Sequence, residues 1–177
     1  MTTLRVGRFA LAGISLALAF LLFRGFLAEA LVLRGDEFLR VGEPREAQSY
    51  YRRAMSLDGS SSAIDRFAFV GFQLRTPSSL AESIDAASRL LARHPERWTV
   101  RLDRALALYA SGALVPAARE FERLGRERSD FRYFALAGHA ASRAGEERSA
   151  QADFAAATRL NPAYVHRHRA PRRARKP

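Results

Sequence analysis

The chain has 177 residues, which favours one domain, or one small domain with an appendage. It holds 29 Lys and Arg against 18 Asp and Glu, for a net charge of +11. Hydrophobic residues make up 48%, too many for a disordered chain and too few for a polytopic membrane protein. The absence of cysteine excludes a disulfide scaffold, a cysteine-ligated zinc or iron–sulfur site and a thiol nucleophile.

The N-terminal segment is strongly apolar. Residues Phe9–Phe23 carry no charge, and Arg8 and Arg24 flank them. A helix of this length reaches roughly 22 Å, short of the ~30 Å hydrocarbon core. The flanking arginines can extend their charged ends to the interface and recover the difference. We therefore predict that residues 1–27 form a single-pass membrane anchor, with a transmembrane helix from about Val6 to Leu27.

Two other interpretations of this segment stay open. A cleaved signal peptide also has a basic start and a short apolar run, and Ala17-Leu18-Ala19 offers a small-residue cleavage site. However, the apolar run continues past that site to Phe23. A soluble or interfacial helix should show a polar face, which Phe9–Phe23 lacks. The anchor is the favoured interpretation.

The charges around this run bear on orientation. Arg5 and Arg8 precede it, while Arg24, Arg34 and Arg40 follow, so the positive-inside rule is nearly balanced. A short basic tail directly before the apolar run is the usual layout of a signal anchor. We expect a single-pass protein of the bacterial inner membrane, with its soluble domain on the periplasmic side.

Small and aromatic residues then recur with a period near 34. Counted from Phe131, Gly138 falls at position 8, Gly145 at 15, Phe154 at 24 and Pro162 at 32. Small residues at position 8 let two helices approach closely, and the aromatic residue at position 24 fills the gap between them. Glycine near position 15 turns the chain, and proline ends the second helix.

The same frame starts again upstream at Ala28, Ile64 and Trp98, so that the four starts are spaced by 36, 34 and 33 residues. The unit that starts at Ile64 is the poorest, because Ser83 stands where the frame expects alanine. Four units in one register indicate a repeat protein.

This pattern resembles the tetratricopeptide repeat (TPR) over most of the chain. The resemblance implies a TPR-like α-solenoid over residues 28–162. Together with the N-terminal transmembrane helix and a basic, disordered tail over 163–177, we expect an all-α fold. The repeats are expected near 28–61, 64–97, 98–130 and 131–163. Helices are predicted near 28–41, 45–57, 63–75, 79–93, 97–111, 114–126, 131–143 and 147–160.

The resemblance also implies a function. TPR proteins bind peptides or protein segments in a groove lined by the first helix of each repeat, at positions 2, 5, 9, 12 and 13. The two-carboxylate clamp of the chaperone-tail-binding subset is not expected, because Val32 and Asp36 stand at positions 5 and 9 of the first repeat. The predicted partner-binding residues are Arg40, Phe72, Arg75, Leu102, Leu106, Tyr109, Arg132, His139 and Arg143.

The C-terminal tail concentrates positive charge. Residues 166–177 hold five Arg, one Lys and no acid. Such a tail can contact anionic lipid headgroups, an acidic partner segment or nucleic acid. The first two uses are favoured, since no aromatic side chain is interleaved to stack on bases. The cations are Arg167, Arg169, Arg172, Arg173, Arg175 and Lys176.

No phosphate-binding loop or hydrolase motif occurs, so we expect no enzyme, cofactor or metal site. The acidic pairs Asp36-Glu37 and Glu146-Glu147 are interpreted as residues of loops or first helical turns. The sequence thus predicts a non-enzymatic membrane-anchored scaffold: an adaptor, assembly factor or accessory subunit of a membrane complex. Its partners would be membrane or exported proteins and the bilayer. The alternative is a cytoplasm-facing polybasic protein that binds anionic lipid or nucleic acid through its tail.

Overall fold

Helices make up nearly all of the described chain. The structure, a computed structural model, describes residues 2–58 and 61–164, with side chains at 14, 15, 17–57 and 62–164. Within these residues there are eight α-helices and no strand. They are α1 (Thr2–Arg40), α2 (Pro44–Asp58), α3 (Ser61–Leu74), α4 (Pro77–Arg93), α5 (Trp98–Ala110), α6 (Leu114–Arg128), α7 (Phe131–Arg143) and α8 (Glu147–Leu160).

The chain divides into two compact units, residues 1–107 and 108–177, which we call unit 1 and unit 2. In unit 1, α1 packs on α2, α2 on α3 and α3 on α4, and α1 also touches α3. In unit 2, α6 packs on α7 and α7 on α8. Short turns join antiparallel neighbours, so the predicted all-α, helix-turn-helix architecture is confirmed.

Three of the turns within repeats share one geometry. Gly42, Gly112 and Gly145 have φ of 85°, 85° and 80°, a left-handed conformation that glycine adopts without steric cost. In each turn the next amide donates to a carbonyl five residues back, as Glu146 does to Ala141 at 2.9 Å. This is the glycine-terminated helix end that the repeat frame predicted at position 15.

The second repeat turns differently. Its turn is one residue shorter, and Arg75 takes the left-handed conformation there with φ of 53°. Thr76 then caps α4, since its hydroxyl accepts from the Ser79 amide at 3.2 Å. This capping box starts α4 at Pro77, two residues before the predicted start. Pro77 and Ser78, which the predicted helix bounds left between two helices, thus belong to the first turn of α4.

Glycine and aromatic residues form the predicted contacts between paired helices. A Cβ on Gly138 would lie 2.6 Å from the Phe154 ring, and a Cβ on Gly35 would likewise collide with the Tyr51 ring. Tyr51 is fully buried, and its hydroxyl donates to Asp36 at 2.7 Å. Burial, followed by the Asp36 carboxylate, raises the pKa of Tyr51. Asp36 and Glu37 lie near the end of α1, so the prediction that they belong to a loop or to the first turn of a helix is wrong.

The second repeat replaces this arrangement with hydroxyl contacts. Ser83 is buried against Gly71 and its Oγ donates to the Ala68 carbonyl at 3.0 Å. Ser79, also buried, donates to the Gly71 carbonyl at 3.1 Å. Serine at position 20 is thus a hydrogen-bonded helix contact, which explains the departure from alanine in this repeat.

The N-terminal segment and the first repeat share one helix, since α1 continues unbroken from Thr2 to Arg40. Among the side chains that the structure describes, no helix is both long and apolar enough to cross a membrane. The predicted anchor over 1–27 is therefore not supported by this part of the chain. The side chains of residues 2–13 lie outside it, as do residues 165–177 with all the predicted tail cations.

Candidate functional site

A cavity of about 440 Å³ lies in unit 1, on the face formed by the first helices of repeats one to three. It opens between the end of α1, the first half of α3 and the start of α5. Asp65 and Thr99 occupy position 2 and Leu39 position 12 of the predicted groove. The lining residues are Leu39, Ser62, Asp65, Arg66, Phe69, Arg97, Thr99 and Asp103.

Two carboxyl groups stand on the cavity wall, Asp65 from α3 and Asp103 from α5. Burial, followed by the charge of Asp65, raises the pKa of Asp103 to about 7. Burial also raises the pKa of Asp65, and the Arg97 and Arg66 guanidinium groups oppose that shift. With the described residues, Asp103 forms no hydrogen bond or ion pair. A hydrogen-bond donor or cation that enters the cavity would therefore stabilise its ionised form.

An aromatic ring and a fixed cation complete the wall. Phe69 is 40% exposed although it lies on a helix whose other large apolar side chains are covered. Arg66 is held by an ion pair with Asp36, at 2.8 Å. The cavity thus combines an open apolar surface with charges of both signs, which suits a peptide side chain better than a small apolar ligand.

The predicted partner-binding residues of unit 1 do not line this cavity, although Leu39, Asp65 and Thr99 line it from other groove positions. Arg40 is exposed at the end of α1, and Leu102 and Leu106 are half-buried on α5. The Arg75 guanidinium stacks on the Phe72 ring, 5.7 Å from its centroid. These contacts leave the cavity to other residues.

Position 5 does not reach the groove in the first two repeats. Val32 and Ala68, which occupy it, are each 1% exposed and belong to the helix-packing core. The cavity is lined instead from position 6, which Phe69 and Asp103 both occupy. Sequence reasoning missed them, together with Arg66 and Arg97. The one signal available was Phe69, an aromatic residue outside the core positions of the repeat.

The predicted groove residues of unit 2 have partners within that unit. Arg132 binds Asp130 at 2.6 Å, and the hydrogen bond from Arg132 lowers the pKa of Asp130, which caps α7. The Arg143 guanidinium lies 4.7 Å from the centroid of Tyr109, a cation–π contact. His139 is exposed and stands edge-on to Phe154, with 5.2 Å between ring centroids.

The comparisons with known proteins agree with this architecture. Residues 28–61 match the tetratricopeptide repeat family model. The matched segment comprises α1 from Ala28, α2 and the first residue of α3, and the chain has an all-α, TPR-like solenoid fold. No curated protein matches the sequence.

Solved structures are similar in fold. One, MamA MSR-1 C2, has a TM-score of 0.68 and 14% sequence identity, over 77% of this chain and 78% of its own. Another, a crystal structure of MamA protein, has a TM-score of 0.68 and 20% identity, over 76% of this chain and 73% of its own. At these identities the likeness concerns the fold.

Proposed function

We propose that this protein is a non-enzymatic scaffold that binds a segment of a partner protein at the cavity of unit 1. The observation that carries the proposal is the cavity itself, about 440 Å³ on the face where TPR proteins hold their ligands. The TPR-like fold and the repeat match at residues 28–61 support it.

The wall of the cavity indicates the chemistry of the partner segment. Asp103 offers a carboxyl group that no described cation holds, and the exposed ring of Phe69 offers an apolar contact. A segment with a Lys or Arg beside an apolar side chain would satisfy both. Charge complementarity between the segment and Asp103 would contribute to the specificity and the rate of binding.

We further propose that α1 anchors the scaffold in a bacterial inner membrane, with the repeats on the periplasmic side. Large apolar side chains on this helix are 58–74% exposed, on all sides of it. They are Ile14, Leu18, Phe20, Leu21, Leu22, Phe23 and Phe26. A surface this apolar supports burial in lipid or in a partner. The short N-terminal segment with Arg5 and Arg8 before the apolar run supports an orientation with the repeats on the periplasmic side. The partner would then be a membrane or exported protein.

Site-specific photo-crosslinking in cells tests the binding proposal. A photoreactive phenylalanine analogue at Phe69 should give a discrete adduct with a partner, and Asp103→Asn should reduce its yield. The control position is Arg89, an exposed residue of α4 paired with Asp85. No adduct at position 69, or the same adducts from positions 69 and 89, would contradict a partner site at the cavity.

A further inference from the structure

Arg24 ties the apolar run to the body of unit 1. It directly follows the run Phe9–Phe23, and its guanidinium donates to the main-chain carbonyl of Leu57 in the last turn of α2. Such a contact also places a positive charge at the negative end of the α2 dipole. The C-terminal end of α2 therefore lies within reach of the Arg24 side chain, and because Gly35 lies against Tyr51 in this antiparallel pair, Leu57 is level with about Glu29 of α1.

The other helix ends on this side follow from the topology. Two residues separate the end of α2 at Asp58 from the start of α3 at Ser61. Helix α4 packs antiparallel to α3 and ends at Arg93. The C-terminal ends of α2 and α4 and the start of α3 thus face the same way as the apolar run. The opposite end of α2, at Pro44, lies about 20 Å further along the helix axis.

No linker separates this end from the apolar run, because α1 is continuous through it. The headgroup region adds about 6 Å to each face of the hydrocarbon core, a height of about four helical residues. If the predicted span Val6–Leu27 fills the core, the headgroup layer reaches from about Ala28 to about Leu31. The C-terminal end of α2 then falls inside that layer.

The exposed charges at this end suit an anionic surface. Arg53, one turn before Leu57, and Arg93, in the last turn of α4, are both exposed. Among the described residues near this end, the exposed acids include Glu96, which faces His94 at 3.4 Å, and Glu29 on α1. Each cation close to an anionic membrane surface adds to the electrostatic attraction.

We propose that this end of unit 1 rests in the anionic headgroup layer of the membrane that holds α1. The inference deepens the proposed anchor and depends on it. It makes the membrane surface itself a contact partner of the first two repeats, and it points the turn at Gly42 away from the bilayer.

Single-cysteine labelling of the full chain tests the inference, since the native sequence has no cysteine to interfere. Ser56→Cys in the last turn of α2 and Glu43→Cys before its first turn are both at exposed positions. Each variant carries an environment-sensitive fluorophore and is reconstituted in phosphatidylglycerol liposomes that contain a headgroup nitroxide lipid. We expect a loss of fluorescence at position 56 that is absent at position 43.

The outcomes separate this inference from the anchor. A chain that does not float with the liposomes contradicts the anchor. A chain that floats but is quenched equally at positions 56 and 43 overturns the inference and leaves the anchor standing. The double variant Arg53→Gln, Arg93→Gln should weaken quenching at position 56; unchanged quenching would overturn the role of these cations.

Discussion

Ser83 lies directly against Gly71 where α3 crosses α4, and the two helices approach so closely that a side chain on Gly71 would collide with the Ser83 hydroxyl. The same hydroxyl donates to the Ala68 carbonyl at 3.0 Å. The second repeat thus keeps the small residue of the TPR frame on α3 and uses serine where the other repeats use alanine. Its helix pair is held by buried hydrogen bonds as well as by packing.

Gly71→Ala should therefore destabilise unit 1. The added Cβ would meet Ser83 Oγ and lie 2.8 Å from the Ser79 carbonyl oxygen, so α3 and α4 must move apart. We expect a loss of about 1–3 kcal/mol in the free energy of unfolding, measured by urea denaturation of the full chain in mild detergent. Gly25→Ala is the matched control. No atom lies within 4 Å of that Cβ, so it should raise stability by about 0.5–1 kcal/mol.

The double variant Gly71→Ala, Ser83→Ala checks the cause. It removes the colliding hydroxyl, so it should recover part of the stability lost in Gly71→Ala. Recovery stays partial, because the Ser79 carbonyl remains. A Gly71→Ala variant as stable as the native chain would show that α3 and α4 are further apart than the structure has them.

The turns at Arg75 and Gly112 predict effects of opposite sign. Both residues have positive φ, 53° and 85°, which costs a residue with a Cβ about 1–2 kcal/mol. Arg75→Gly should raise the midpoint of thermal unfolding, although the loss of the Arg75–Phe72 contact offsets part of this gain. Gly112→Ala should lower it by the equivalent of about 1 kcal/mol. Shifts in the same direction would contradict the left-handed conformation at one of the two turns.

The raised pKa of Asp103 predicts a fall in stability between about pH 4 and pH 7. Below this range the carboxyl is protonated in both states. Within it the unfolded chain releases the proton, with a pKa near 3.9, while the folded chain keeps it up to its pKa of about 7. Stability therefore falls as the pH rises. Asp103→Asn should leave stability unchanged at pH 4 and raise it by about 1–2 kcal/mol at pH 8.

Asp153 shares this behaviour, because burial, followed by the charge of Glu122, raises its pKa to about 7. The pH dependence that remains in the single variant Asp103→Asn should be smaller in Asp103→Asn, Asp153→Asn, where Asp65 still contributes. Asp85→Asn, at an exposed position, is the control. Equal stabilisation at pH 4 and pH 8 in the Asp103 variant would mean that its carboxyl titrates normally in the folded chain.

The helices were predictable from sequence because the repeat frame fixes them several times over. The repeat period, the glycines in the turns and the prolines after the helices indicate the same helix bounds. Helices α7 and α8 begin and end where they were predicted. The turn at Arg75 was not predictable in this way. It uses a left-handed arginine and a Thr76 cap in place of glycine, and neither feature belongs to the frame.

The candidate site was predictable only in part. The frame identified the helix face, which holds Asp65 and Thr99, but it assigned position 5 to the groove, and Val32 and Ala68 are buried there. Which neighbouring position faces the cavity depends on how each helix is rotated against its neighbours. That rotation is set by how buried side chains such as Val32 and Ala68 pack between the helices, and a sequence period does not encode it.

Alkaline carbonate extraction of membranes from cells that express the full chain tests whether α1 holds the scaffold at a membrane. We expect the native chain and Leu33→Arg, a control on α1 beyond the apolar run, to stay in the membrane pellet. We expect Leu18→Arg, Leu22→Arg to be released to the supernatant, because two charges in the run oppose insertion. Release of the native chain by carbonate would contradict the anchor.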